Sequence, residues 1–215
     1  MKLYIGNKNY SSWSLRVWLA LRVKNIPFEE ALRPFDVEND YADFFEFSPS
    51  GKVPVLHSDG QAIWESLSIL EFVAEKYPDR GLWPMDVKIR SKARSIAHEM
   101  HGGFMSLRSA CPMNIRRRVE SIDVGAGVLK DVRRVEQIWE DCLTESGGPF
   151  LFGDFSIADS MYAPIVNRLE VYELSQADSV LKFSEAIKSL PAWDQWVEAA
   201  VAEEWVVDID EVYRP

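Results

Sequence analysis

The sequence predicts two successive parts: a mixed α/β unit over residues 1–78 and an all-helical domain over residues 87–215, joined by a linker at 79–86. Three observations carry this. Short strand-like runs occur only before residue 65. Helical runs interleave with them in the order βαβ and then ββα. From about Met85 onward, apolar residues recur at helical spacing, interrupted by Pro and Gly rather than by further strands.

Residues 2–5 alternate as a strand does, and Leu15, Trp18, Leu19 and Val23 then fall at helical spacing between Ser12 and Lys24. Ile26-Pro27-Phe28 ends that helix. Phe28 to Leu32 supplies a second strand, parallel to the first by the right-handed crossover rule. Asp36 to Asp43 reads as a loop, with a short helix around Tyr41 to Phe47 before Ser48-Pro49-Ser50-Gly51. Val53 to Leu56 and Ala62 to Trp64 flank Asp59-Gly60 as a hairpin, and Pro54, which cannot donate to a ladder, marks the turn into it. Glu65-Ser66 opens a helix carrying Leu67, Ile69, Leu70, Phe72 and Val73 as far as Tyr77-Pro78. This order is that of a thioredoxin-type α/β unit.

Further helices are predicted near 87–110, 124–146, 156–172, 178–189 and 191–203. Ser156-Ile157-Ala158-Asp159 forms a capping-box variant, with Phe155 and Met161 or Tyr162 as its hydrophobic staple, and this is a stability element rather than a chemical one. Trp193, Trp196 and Trp205 are expected in core and C-terminal packing.

With 215 residues and 47% apolar content the chain has ample core, and a net charge of -10 disfavours nucleic acid or an anionic membrane as partner. Arg116-Arg117-Arg118 reads as a solvated helix face or a local anion contact. Cys111 and Cys142 form no CxxC, which fits a reducing cytoplasm. No apolar run reaches the ~18 residues of a spanning helix, so neither secretion nor membrane insertion is expected. His98 and His101 stand at i, i+3 without an evident third ligand, so no metal is assigned.

Chemistry concentrates at Asn9-Tyr10-Ser11-Ser12-Trp13-Ser14-Leu15-Arg16, where a strand gives way to a helix. A helix N-terminus exposes unpaired amides and carries roughly half a positive charge, and Ser11 and Ser12 add hydroxyl donors there. Either serine would serve equally as a plain N-cap. Glu65-Ser66 poses the same alternative at the next helix start.

Ser11 to Arg16, Gly51-Lys52-Val53-Pro54-Val55-Leu56, Glu65-Ser66-Leu67-Ser68-Ile69-Leu70 and Phe155 to Asp159 together resemble the cytosolic glutathione transferase family over essentially the whole chain. The run Ser11-Ser12-Trp13-Ser14-Leu15-Arg16-Val17 is similar to the zeta class, whose first helix begins Ser-Ser-Cys-Ser-x-Arg-Val; Trp13 replaces the cysteine, and its indole reshapes the pocket. Zeta enzymes isomerise maleylacetoacetate by adding glutathione and expelling it.

The resemblance implies glutathione as co-substrate, with Ser11 donating to its sulfur and Ser12 or Tyr10 as alternatives. It implies that the Ser66 hydroxyl and amides receive the γ-glutamyl carboxylate, with Glu65 near the ammonium. Val53 would offer its backbone to the cysteinyl part beside a cis Pro54, and Lys52 would hold a carboxylate. The small electrophile would lie between the domains against Tyr10, Trp13, His101, Phe104 and Arg108. The positive charge of Arg108 suits an acidic substrate. The family further implies a cytoplasmic homodimer acting as a transferase or isomerase. A non-catalytic binding protein on the same scaffold is the competing reading. A cysteine-dependent reductase is disfavoured, because no cysteine precedes residue 111.

Overall fold

A computed structural model describes residues 1–35 and 41–212, so residues 36–40 of the expected Asp36–Asp43 loop lie outside the described residues. Four strands, β1 (Lys2–Ile5), β2 (Glu29–Leu32), β3 (Val55–Ser58) and β4 (Gln61–Trp64), form one sheet in the order β2-β1-β3-β4. β1 pairs parallel to β2 and antiparallel to β3, and β3 pairs antiparallel to β4. The hairpin turns on Asp59 and Gly60, with φ of 55° and 80°, the left-handed pair that matches strand twist. β3 starts at Val55, after Pro54 rather than at Val53, because proline has no N–H for the ladder. The Val53–Pro54 bond is cis.

Helix α1 (Ser12–Val23) crosses over from β1 to β2, and α2 (Ser66–Lys76) follows β4. The short helix expected at Tyr41 to Phe47 is a single 3₁₀ segment, Ala42–Glu46. Beyond α2 the described chain carries six α-helices joined by irregular segments: α3 (Val87–Gly102), α4 (Met105–Ala110), α5 (Ala126–Ser146), α6 (Ile157–Val171), α7 (Asp178–Lys188) and α8 (Pro191–Val201).

The single helix expected over 87–110 is therefore two. Gly103 ends α3, where a Cβ would stand 2.6 Å from the Glu99 carbonyl oxygen, and Phe104 then takes φ 56°. The buried Phe104 ring, edge-on to Tyr162 at 6.3 Å, holds that left-handed residue in place. The arginine run also departs from expectation: Arg116 and Arg117 lie in the irregular segment between α4 and α5 and donate to C-terminal carbonyls rather than to solvent. Trp193 and Trp196 are buried as expected, whereas Trp205 is 45% exposed, and the Phe155 ring meets Phe150.

α6 organises the helical part. Every residue of it except Glu170 is buried, as befits a central helix. Its capping box is formed: Ser156 Oγ accepts from the Ala158 amide, and Asp159 accepts from the Ser156 amide, the Ser156 hydroxyl and the Leu151 amide. α6 packs against α1, with Ser160 Oγ donating to the Arg16 carbonyl and Arg16 Nε donating to Met161 O at 2.8 Å. One apolar core consequently runs from Leu3 and Leu19 through Tyr162 to Trp139 of α5. It fixes the first turn of α1 over the helical part.

Candidate functional site

The loop between β1 and α1 is held by amides and side chains. The Tyr10 and Ser11 amides donate to Asn7 O at 3.2 and 2.8 Å. Ser11 is the N-cap of α1, its Oγ accepting from the Ser14 amide at 3.4 Å. That hydroxyl also donates to Ser14 Oγ at 2.7 Å, which in turn accepts from the Gly6 amide at 3.1 Å. Ser12 is the first residue of α1 and faces elsewhere: its carbonyl accepts from Arg16 Nη1 at 2.9 Å and its Oγ from Arg168 Nη2 at 3.4 Å. Tyr10 turns a third way, its hydroxyl donating to Glu211 at 2.7 Å and accepting from Arg116 at 2.9 Å. The three hydroxyls thus occupy three different networks.

Asparagines not singled out in the sequence pin this loop to the helical part. Asn9 donates to Asn114 Oδ1 at 3.0 Å and accepts from the Arg116 amide at 2.9 Å, while Glu203 accepts from the Lys8 and Asn9 amides. Their only sequence signal is the density of short polar residues around a helix start.

At α2, Glu65 has φ 68° and ψ 124°, a region that costs a non-glycine residue of the order of 1–3 kcal/mol and that clusters at functional sites. Ser66 follows, 2% exposed, and its hydroxyl has no hydrogen-bond partner. A buried unmade hydrogen bond costs about 1–3 kcal/mol. Pro54 is buried, Val53 half-buried with its side chain against Gly6, and Lys52 exposed.

Three of the expected electrophile residues meet around one indole. His101 lies 5.1 Å from the half-buried Trp13 ring, and the Arg108 guanidinium 4.6 Å from it. Arg108 donates to the carbonyls of His101 and Gly103 at 3.3 and 3.2 Å, across the break between α3 and α4. Glu65 approaches His101 Nε2 at 3.6 Å, which ties the start of α2 to this cluster. Burial lowers the His101 pKa against the opposing pull of Glu65, so the imidazole is largely neutral at pH 7. Phe104 packs inward beneath this group, and Tyr10 points away from it. The Arg16 guanidinium also lies close to Trp13, 4.3 Å from the ring.

Burial pushes both cysteine thiols up to about 11, so neither is a nucleophile at neutral pH. Among the described residues no helix is long and apolar enough to cross a membrane. A groove of about 900 Å³ between α5 and α7 is remote from the head of α1, and neither its serines nor the Trp13 cluster line it.

Comparison with known proteins matches residues 10–76 to the glutathione S-transferase N-terminal domain and residues 117–199 to the C-terminal domain of the same family. A probable maleylacetoacetate isomerase of Caenorhabditis elegans is 30% identical over 187 residues, covering 85% of this chain and 87% of that one. The maleylacetoacetate isomerase of Rattus norvegicus is 28% identical over 191 residues, covering 85% and 86%. Among solved structures, a bacterial maleyl pyruvate isomerase of the zeta class shares the fold, with a TM-score of 0.72 at 22% identity over 93% of this chain and 98% of that one. A glutathione transferase homolog from Burkholderia with bound glutathione gives 0.73 at 22% identity, covering 94% and 98%. With two matched domains in order and a relative spanning most of its length, the chain belongs to the glutathione S-transferase family.

Proposed function

We propose that the protein is a glutathione-dependent transferase or isomerase that activates the glutathione thiol for attack on a small electrophile. The unpartnered Ser66 hydroxyl carries this reading. A carboxylate at the start of α2 satisfies that hydroxyl together with the first-turn amides, and the strained Glu65 before it stands ready for the ammonium of the same γ-glutamyl group. Val53 offers its backbone to the middle of the tripeptide, and Lys52 its charge to a terminal carboxylate. The sulfur then reaches the head of α1.

A free thiol of pKa ~8.5 is only a few per cent ionised at neutral pH. Ser11 lowers that value by donating a hydrogen bond to the sulfur in the positive field of the helix start, which stabilises the thiolate once the thiol proton has passed to solvent water. The electrophile is received at the cluster of Trp13, which lies two residues after Ser11, with His101 and Arg108. The similarity to maleylacetoacetate isomerases supports isomerase activity, and Trp13 alters the wall against which such a substrate would rotate. The protein acts as a cytoplasmic homodimer.

Calorimetry tests the core of this reading. Wild-type protein is expected to bind glutathione, and Ser66→Ala to bind it about tenfold more weakly. No measurable affinity in the wild type defeats the proposal. Binding without ultraviolet thiolate absorbance would leave the non-catalytic reading in its place.

A further inference from the structure

One side chain reaches both ends of the site. His101, in the last turn of α3, brings its Nε2 to 3.6 Å from the Glu65 carboxylate at the start of α2 and its ring to 5.1 Å from the Trp13 indole in the first turn of α1. Its carbonyl accepts from Arg108 at 3.3 Å, which ties that turn to α4. Nδ1 is buried without a hydrogen-bond partner, so the ring is held only through its face and through Nε2. The 3.6 Å separation exceeds hydrogen-bond length, and charge rather than a fixed bond joins the ring to Glu65.

Charges act on this ring from each element around it. Burial is the largest influence and favours the neutral form, and Arg16 of α1, Arg108 of α4 and His98 one turn earlier on α3 push the same way. Glu65 is the carboxylate that opposes them, and the C-terminal end of α3 favours positive charge as well. The Glu65 side chain is 57% exposed and has no other ion pair among the described residues. On the transferase reading the buried, unpartnered Ser66 hydroxyl takes the γ-glutamyl carboxylate, and the ammonium on the same carbon falls to Glu65. That ammonium meets His101 already at its carboxylate.

We propose that His101 is a positioning residue that stands in for the γ-glutamyl ammonium at Glu65 in the free protein, so that the proton of His101 and glutathione compete for one carboxylate. The inference deepens the transferase reading and rests on it for the identity of the ligand. When the ammonium arrives, its charge offsets the attraction of Glu65 for an imidazolium, while burial, the two arginines and His98 remain. Glutathione binding therefore holds His101 neutral. By linkage the converse has the same magnitude: a protonated His101 weakens glutathione binding, and the weakening disappears as pH rises through the midpoint of the ring in the free protein. Burial sets that midpoint below the ordinary 6.5, in mildly acidic solution. Because the same ring belongs to the Trp13 cluster, filling the glutathione end also removes a positive charge from the electrophile end and leaves Arg16 and Arg108 as the charges against the indole.

The probe is S-methylglutathione, which keeps the γ-glutamyl ammonium and has no thiol to ionise, added to the full chain. The ring protons of the three histidines are titrated by nuclear magnetic resonance, with His57→Gln and His98→Gln spectra identifying the third. On saturation the His101 midpoint is expected to fall by at least about 0.5 pH, and those of His57 and His98 by less. Glu65→Gln is expected to lower the His101 midpoint in the free protein, before any ligand is added. By linkage a fall of about 0.5 pH is about a threefold rise in affinity as pH passes upward through the midpoint. Calorimetry reads that rise as the difference between wild type and His101→Phe, because Glu203 and Asp210 titrate in both. A His101 midpoint that stays or rises on saturation overturns the proposal, as does a free midpoint in Glu65→Gln equal to that of the wild type, or a wild-type affinity profile parallel to that of His101→Phe. If a variant does not fold, the wild-type resonance on saturation decides alone. No affinity for S-methylglutathione at any pH defeats the transferase reading and the proposal with it, whereas affinity with an unmoved midpoint defeats the proposal only.

Discussion

The Ser11 and Ser14 hydroxyls lie 2.7 Å apart at the head of α1, and the Gly6 amide donates to Ser14 Oγ at 3.1 Å. A hydroxyl has one proton, so while Ser11 donates to Ser14 it has none for a sulfur. Both hydroxyls remain satisfied if the bond reverses. Ser14 then accepts from Gly6 and donates to Ser11, and Ser11 accepts from the Ser14 hydroxyl and amide and donates to the thiolate. On the proposed mechanism Ser14 would be a positioning residue for Ser11, and the pair would switch direction on glutathione binding.

Ser11→Ala is expected to lower kcat about 10²-fold and to remove most of the thiolate absorbance, with glutathione affinity largely retained. Ser14→Ala is expected to lower kcat about tenfold and to raise the apparent pKa of the bound thiol, because an undirected Ser11 proton stabilises the anion less well. Since the two hydroxyls act as one unit, the double variant is expected to be little worse than Ser11→Ala alone. A pH titration of thiolate absorbance reads all three. A Ser14→Ala titration curve superposing on the wild type would remove Ser14 from the mechanism.

Stability is expected to hinge on Asp159, fully buried at the start of the most buried helix. Its carboxyl collects the Leu151 amide, the Ser156 amide and the Ser156 hydroxyl, all at 2.8–2.9 Å. Asp159→Ala leaves these donors without an acceptor in the core, at a cost of about 2–4 kcal/mol. Urea denaturation checks this through a lower midpoint at unchanged m, and a midpoint within error of the wild type would show that the box is dispensable.

Much of the framework was legible in the residues because local pattern and tertiary position agree. Leu3 and Ile5, Asp59-Gly60 and Ser156 to Asp159 each state in sequence what they do in space. Phe104 does not: its left-handed backbone follows from burying its ring beside Tyr162, a long-range cause that no local pattern records. The same limit hid the approach of Glu65 to His101, which only the packing of α2 against α3 brings about. The segment after α8 lacks periodicity, so its engagement of Tyr10 through Glu211 had no signal at all.

Association is expected from the exposed apolar side chains of the first part and of α3, including Phe45 at 67%, Val87 at 68% and Ile89 at 47% exposed. Sedimentation equilibrium should return twice the 24.6 kDa chain mass, and Phe45→Ser should shift the distribution toward the single chain. A wild-type protein that stays at single-chain mass at micromolar concentration contradicts the dimer.

The C-terminal segment supplies a pH dependence of defined sign. Glu203 accepts from the Lys8 and Asn9 amides, Arg116 donates to the carbonyls of Glu203 and Trp205, and Glu211 bridges Tyr10 and Asn114, so residues 203–211 lie across the loop that carries Ser11. Asp210 sits within this strap. Burial raises its carboxyl from the ordinary 3.8 to about 6, with Arg168 pulling it down and Glu211 pushing it up, and burial also raises Glu203. Because the docked pKa exceeds the free one, the docked segment binds more protons than a detached one between those values. Docking is therefore strongest below about pH 4 and weakens as pH rises through about 6. Hydrogen exchange at the Asp210 and Glu211 amides, which donate to Val207 O and Asp208 O, reads the docking directly once intrinsic rates are divided out. Protection is expected to fall across that window in the wild type and to flatten in Asp210→Asn. Constant protection from pH 4 to 8 in the wild type would show that the strap does not sense protons at Asp210.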